Sequence, residues 1–222
     1  MREYNHLKKG FFITFEGGEG SGKTTLQHKL FSHLQAKGYA TISTRAPGGT
    51  SLGVSIRDLL LHQKNQFLAK KAELFLFLAD RAQHVAELIL PALEDKKIVL
   101  CDRFNDSTLA YQGAARHGDL EFIELLCSYV TDQLVPDLTL YLDVDPLVGL
   151  KRARQAIAKQ GKAEYDRLEN ETLAFHQRVR ASYLNIADRN PKRFIVIDSH
   201  QHIDEVFSIA LQSVEHLIQE RS

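Results

Sequence analysis

The sequence predicts an α/β fold, a five-stranded parallel sheet flanked by helices on both sides. Two patterns predict it. Short β-type runs alternate with longer stretches of helical period, and most of those runs are apolar at consecutive positions, as strands covered on both faces are. The runs are Phe11 to Glu16, Thr41 to Thr44, Ile98 to Asp102, Leu138 to Asp143 and Phe194 to Asp198. After the fourth, Asp145 and Pro146 read as the N-cap and first position of a helix that continues into Lys151, Arg152 and Arg154. After the fifth, Ile203, Val206, Phe207, Ala210, Leu211, Val214, Leu217 and Ile218 recur at spacings of three and four, which predicts an amphipathic helix packed on the sheet. The polar stretch from Gln155 to Tyr165 fits neither period and is expected to be irregular. We expect one domain over residues 1–222 with a mobile lid at about 152–167.

Composition bounds the function classes. At 222 residues, with 44% apolar and 25% charged, the chain has material for one sizeable core. Lys plus Arg and Asp plus Glu number 28 each, so the surface is not a basic platform for nucleic acid, and phosphate recognition must be local. Cys101 and Cys127 are too few for a disulfide framework or a four-thiolate zinc site, which fits a reducing cytoplasm. Cys101 is expected in the core. Met1 to Gly10 is polar and lacks the apolar stretch of a secretory signal. The longest apolar run, Leu74 to Ala79, falls far short of the ~20 residues that span a bilayer, so no membrane partner is expected.

The chemistry begins directly behind the first strand. Gly17, Gly18, Glu19, Gly20, Ser21, Gly22, Lys23 and Thr24 match the pattern GxxxxGK[ST], and a helical run through Thr25 follows at once. Glycines let the backbone curl until successive N–H groups aim at phosphate oxygens, with the positive end of the next helix behind them. This predicts a P-loop NTPase fold that binds ATP along residues 17–25, Lys23 neutralising the β and γ phosphates and Thr24 offering its hydroxyl to Mg²⁺. The second magnesium-side group is expected at a strand end. Asp102 and Asp143 both qualify. Asp102 is preferred because Arg103 follows it, and Asp143 is left as a structural carboxylate.

Bringing two phosphates together is an electrostatic problem: unit charges at ~4 Å repel by about 4 kcal/mol at an effective dielectric near 20. Candidate cations are Arg45 after the second strand, Arg57 a helix later, Arg103 after the third strand, and the pair Arg152 and Arg154. Arg45 and Arg103 stand out, since ligands bind beyond the carboxyl ends of parallel strands. Phe77 and Arg81, four apart, share a helix face. An arginine in the apolar stripe of Leu74, Phe77, Val85 and Leu88 needs a buried acceptor or a route to solvent.

Several stretches then carry a resemblance: Thr44-Arg45-Ala46-Pro47-Gly48-Gly49-Thr50, the pair Phe77 and Arg81, the run from Asp102 through Ser107, Thr108 and Tyr111 to Gln112-Gly113, and Pro136 to Asp143. In order and over essentially its whole length the chain resembles the bacterial thymidylate kinase family. The resemblance implies a nucleoside monophosphate kinase-like fold and transfer of the γ-phosphoryl group of MgATP to dTMP, a step toward dTTP, by a homodimer. It implies that Phe77 stacks on thymine with Arg81 and Thr108 at the base, that Arg45 and Arg103 hold the monophosphate with Arg57 nearby, and that Tyr111 and Gln112 meet sugar and base. Ser107 belongs to the same substrate-binding run. Lys23 and Arg103 become catalytic. Because Glu19 occupies the P-loop where other members carry an arginine, Arg152 or Arg154 is expected to act from the lid. The chain departs from the pattern at Ala46, where many members have Glu, and in a longer lid, Ala156 to Lys162 separating the arginine pair from Asp166 and Arg167. His200 and His202 are expected in a loop near the adenine, without a metal. A kinase for UMP, dUMP or AMP would use the same cradle with a different base pocket. A nucleotide-hydrolysing switch would show DxxG and NKxD segments, and neither is found.

Overall fold

A computed structural model describes residues 7–61, 67–159 and 167–221. Among them, five strands, β1 (Phe11–Gly17), β2 (Thr41–Arg45), β3 (Ile98–Asp102), β4 (Leu138–Asp143) and β5 (Phe194–Asp198), form one all-parallel sheet in the order β2-β3-β1-β4-β5. The expected strands are therefore present, with Gly17 and Arg45 added at two carboxyl ends. β1, in the centre, is buried along its whole length, which is why it opens on consecutive apolar residues, Phe11 to Ile13, rather than on a strict alternation.

Its side chains still alternate in direction. Phe11, Ile13 and Phe15 pack with α1 (Lys23–Ala36) and the C-terminal helix Ile203–Arg221, whose Val206, Ala210, Val214, Leu217 and Ile218 are buried as the spacing predicts. Phe12 turns the other way, against Val85, Ile89 and Phe104. On that second side lie α2 (Ser51–Leu61), α3 (Lys70–His84), α4 (Leu90–Glu94), α5 (Asn105–Thr108) and α6 (Leu120–Val130). α8 (Leu173–Arg189) completes this layer, with Phe175, Val179 and Tyr183 in its core. Two stretches, Val85–Ile89 and Leu109–Ala115, have the wider π-helical turn.

The helix after β4, α7, spans Pro146–Lys159, opened as expected: Asp145 Oδ1 accepts from the Leu147 N–H at 2.9 Å. Its length corrects one expectation. Gln155 to Lys159 is helical rather than irregular, because nothing in Gln155-Ala-Ile-Ala-Lys159 breaks a helix. Residues 160–165 of the same stretch, Lys162 among them, lie outside the described residues, as does Asp166. No helix among the described residues is long and apolar enough to cross a membrane.

Candidate active site

The carboxyl ends of β1, β2 and β3 open into a cleft of about 930 Å³ that runs from the glycine-rich loop to α3. At one end, Gly20 and Gly22 adopt positive φ, 63° and 92°, and turn the loop into the start of α1. Gly20 has a second reason to lack a side chain: a Cβ there would collide with the carbonyl of Gly149 on α7. Lys23 is buried, its Nζ donating to the carbonyls of Gly17 (3.1 Å) and Gly18 (2.8 Å). Burial, then Arg103, pushes its pKa down. Thr24 Oγ1 donates to Asp102 Oδ2 at 2.8 Å, while Asp102 Oδ1 is buried without a partner among the described residues. A hydroxyl and a carboxylate with one unmatched oxygen are hard oxygen donors of the kind that fit magnesium.

Arg103 occupies the turn after β3 at φ 71°, a conformation an arginine avoids unless its surroundings impose it. They do. Its N–H donates to the Phe15 carbonyl (2.9 Å), the next N–H, of Phe104, donates to Glu16 Oε1 (2.7 Å), and Arg81 donates to the carbonyls of Arg103 (3.2 Å) and Phe104 (3.0 Å). Glu16 is wholly buried, and Ser107 and Tyr183 also donate to it, at 2.6 and 2.8 Å. Burial raises its pKa. The Arg103 guanidinium, so held, pairs with Glu19 at 2.9 Å and lies 4.9 Å from the centre of the Tyr111 ring, whose hydroxyl donates to the same Glu19 oxygen at 2.8 Å. Burial alone would raise the Glu19 carboxyl, but Arg103, Lys23 and the Tyr111 hydroxyl outweigh it and hold the pKa at about 2.

Toward α3 the cleft is lined by Arg45, Arg57, Phe77, Arg81, Ser107, Thr108, Tyr111 and Gln112, so every expected substrate-side residue faces one cavity. Arg45 is exposed to it, and Arg57 donates to the Pro47 carbonyl at 2.9 Å. Arg81 finds acceptors inside the protein, through the two carbonyls above and the Phe104 ring 4.7 Å away, rather than by reaching solvent, while its buried Nε has no partner among the described residues. The π-helical turn carries Tyr111 and Gln112, and such wide turns recur at functional sites. On α7, Arg152 lines the cleft and donates to the Ser199 carbonyl at 2.8 Å, and Ser199 Oγ donates to the Ser21 carbonyl at 2.6 Å. Arg154 lies exposed on α7 and does not line the cleft.

A family model described as thymidylate kinase matches residues 15–209. The chain belongs to the thymidylate kinase family. It is similar to thymidylate kinases of Protochlamydia amoebophila (48% identical over 209 residues, 93% of each chain) and Desulfosudis oleivorans (48% over 207 residues, 93% of this chain and 97% of that one). Among solved structures it is similar to a thymidylate kinase from Ehrlichia chaffeensis, at a TM-score of 0.75 and 37% identity, covering 93% of this chain and 98% of that one.

In this member of the thymidylate kinase family, Asp143 is the structural carboxylate expected of it. It receives a two-pronged bond from Arg180, 2.8 Å at each oxygen, and one from Tyr141 at 2.9 Å. Cys101 is buried and its thiol pKa is pushed well up by burial. Ala46 is buried at the head of the turn after β2. His200 pairs with Asp198 at 2.8 Å, and no group of three metal-ligating side chains occurs among the described residues. Sequence reasoning missed Glu16, Glu73 and Tyr183. Glu73 had a signal: it precedes Phe77 and Arg81 by steps of four and so shares their face. Glu16, a carboxylate ending an apolar strand, had a weaker one.

Proposed function

We propose that this chain transfers the γ-phosphoryl group of ATP to dTMP. The observation that carries the proposal is the single cleft that holds a phosphate cradle at one end and an aromatic, arginine-bearing base pocket at the other, in a chain of the thymidylate kinase family. Residues 17–25 bind the ATP phosphates. Thr24 and Asp102 hold magnesium, which when bound neutralises charge on the β and γ phosphates. Phe77 stacks on the thymine, Arg81, Thr108 and Gln112 read its edge, and Arg45, Arg57 and Arg103 hold the monophosphate, with Ser107 behind Arg103. A dTMP phosphate oxygen attacks the γ-phosphorus, and the bond from that phosphorus to the β,γ-bridging oxygen breaks as the new one forms. The attacking oxygen is already an anion, so no general base is needed, and catalysis is positioning plus charge stabilisation. Lys23 and Arg103 supply fixed positive charge. Arg152 or Arg154 adds more as the lid of about residues 152–167 closes.

The reading extends to a homodimer. α2, α3 and α6 lie side by side and leave Leu52, Leu59, Phe75, Phe122, Leu125 and Tyr129 exposed on their outer faces. A second copy of the chain is the occupant that suits such a surface. The test of function is an ADP-release assay against dTMP, dUMP, UMP, CMP and AMP. The proposal predicts the highest kcat/KM with dTMP, and a preference for UMP or AMP would replace it with another monophosphate kinase.

A further inference from the structure

Glu73 is 1% exposed beneath the base end of the cleft, a place where a carboxylate survives only with partners. Gln112 Nε2 donates to its Oε1 at 2.8 Å, Arg116 Nη2 to its Oε2 at 3.1 Å, and Arg167 Nη2 lies 2.7 Å from Oε2. Burial pushes the carboxyl up, but the Gln112 amide and the charges of Arg116 and Arg167 pull it below the ordinary value, so Glu73 is ionised at neutral pH. An ionised carboxylate only accepts hydrogen bonds. The Gln112 amide must therefore turn its NH₂ group toward Glu73. Its carbonyl Oε1 is the end left for the cleft, which Gln112 lines, and it has no hydrogen-bond partner among the described residues.

We propose that Glu73 is a specificity-positioning residue: by pinning the Gln112 amide it presents a fixed acceptor to the base. The pocket then takes a pyrimidine whose N3 carries a hydrogen, as thymine and uracil do, and rejects cytosine, whose N3 is a bare lone pair. This rests on the reading that Gln112 meets the base. Leaving a buried acceptor opposite another acceptor costs roughly ten- to a hundredfold in preference.

The test compares kcat/KM for dTMP and dCMP in the unmodified enzyme, Glu73→Gln, Gln112→Ala and Arg116→Gln. Glu73→Gln keeps the shape, but its own amide offers donor and acceptor alike, so Gln112 is free to flip. It should lower the dTMP:dCMP preference about tenfold, mostly through KM, with kcat held within about threefold. Arg116→Gln loosens the same cluster, removing the bonds from Arg116 to Oε2 (3.1 Å) and, at 3.3 Å, to Oε1, but it keeps both partners of the shorter Glu73–Gln112 bond, and it should lower the Tm with a much smaller loss of preference than Glu73→Gln. If Gln112→Ala loses the preference and Glu73→Gln retains it, the positioning role is wrong and the base-pocket reading stands. If Gln112→Ala leaves both the KM for dTMP and the preference unchanged, the base-pocket reading fails and takes this proposal with it. Equal loss of preference in Arg116→Gln would reduce Glu73 to general scaffolding and overturn the proposal. A measurement on the unmodified enzyme decides the point even if Glu73→Gln does not fold. The Gln112 side-chain NH₂ signals, assigned by their loss in Gln112→Ala, should exchange slowly with solvent and move little when dTMP is added. Fast exchange with a large shift would place the NH₂ in the cleft and overturn the proposal.

Discussion

Several charges at the cleft are fixed by desolvation and by one or two neighbours, and His84 shows how this reaches stability. It is buried, its Nε2 2.8 Å from Thr44 Oγ1, and burial, then Arg81, depresses its pKa to about 3. The unfolded chain binds a proton near pH 6.5 that the folded one refuses until about pH 3, so the stability contributed by neutral His84 is complete above pH 6.5 and is lost as pH falls through that window. Glu16 and Asp80, both raised by burial, pull the opposite way, so the difference between proteins is the quantity to read. Against His84→Gln, which keeps a partner for Thr44, the unmodified protein should lose relative stability at up to about 1.4 kcal/mol per pH unit between pH 6.5 and 4.5. Urea unfolding at several pH values would measure it, and parallel curves would show that His84 is not held neutral.

Between elements, the P-loop and α7 meet backbone to backbone. Gly20 and Gly149 face each other so closely that a Cβ on Gly149 would collide with the carbonyl of Glu19. Gly149→Ala should therefore push α7 from the loop and raise the KM for ATP by about tenfold or more, with a smaller effect on the KM for dTMP. A loss of about 1–3 kcal/mol of stability without any change in ATP affinity would contradict this. The same helix carries both candidate lid arginines, and Arg152 already reaches the P-loop through Ser199. At least one of Arg152→Ala and Arg154→Ala should lower kcat tenfold or more in steady-state assays, and two near-normal enzymes would remove α7 from the catalytic account. The strands were legible because both faces of Ile98–Asp102 and Leu138–Asp143 are buried and, Thr139 and the closing aspartates apart, their residues are apolar. The P-loop was legible because its chemistry is confined to consecutive residues. What escaped depends on distant partners: Glu16 is bound by Phe104 and Tyr183, and Arg81 by carbonyls more than twenty residues away. The π-helical widening at Leu109–Ala115 left no mark in the apolar spacing. The helical extension to Lys159 was obscured because its residues are mostly exposed and so show no apolar stripe.

For the whole molecule, the cleft lies at the carboxyl edge of the sheet, and the proposed dimer contact lies on the exposed apolar side chains of α2, α3 and α6. Leu125 is 63% exposed on α6, on the same helix face as Phe122 and Tyr129. Leu125→Glu should convert a dimer to a monomer in light scattering while leaving the fold intact, because the residue touches solvent in the isolated chain. A variant that stays dimeric would move the interface elsewhere. The central claim, that ATP and dTMP meet end to end in one cleft, is tested most directly by incubating the purified protein with magnesium and ATP, with and without dTMP, and following the phosphorus signals of the products. The account predicts dTDP and ADP in equal amounts, with negligible ADP when dTMP is left out. ADP formed at the same rate in both samples, with no dTDP, would contradict it.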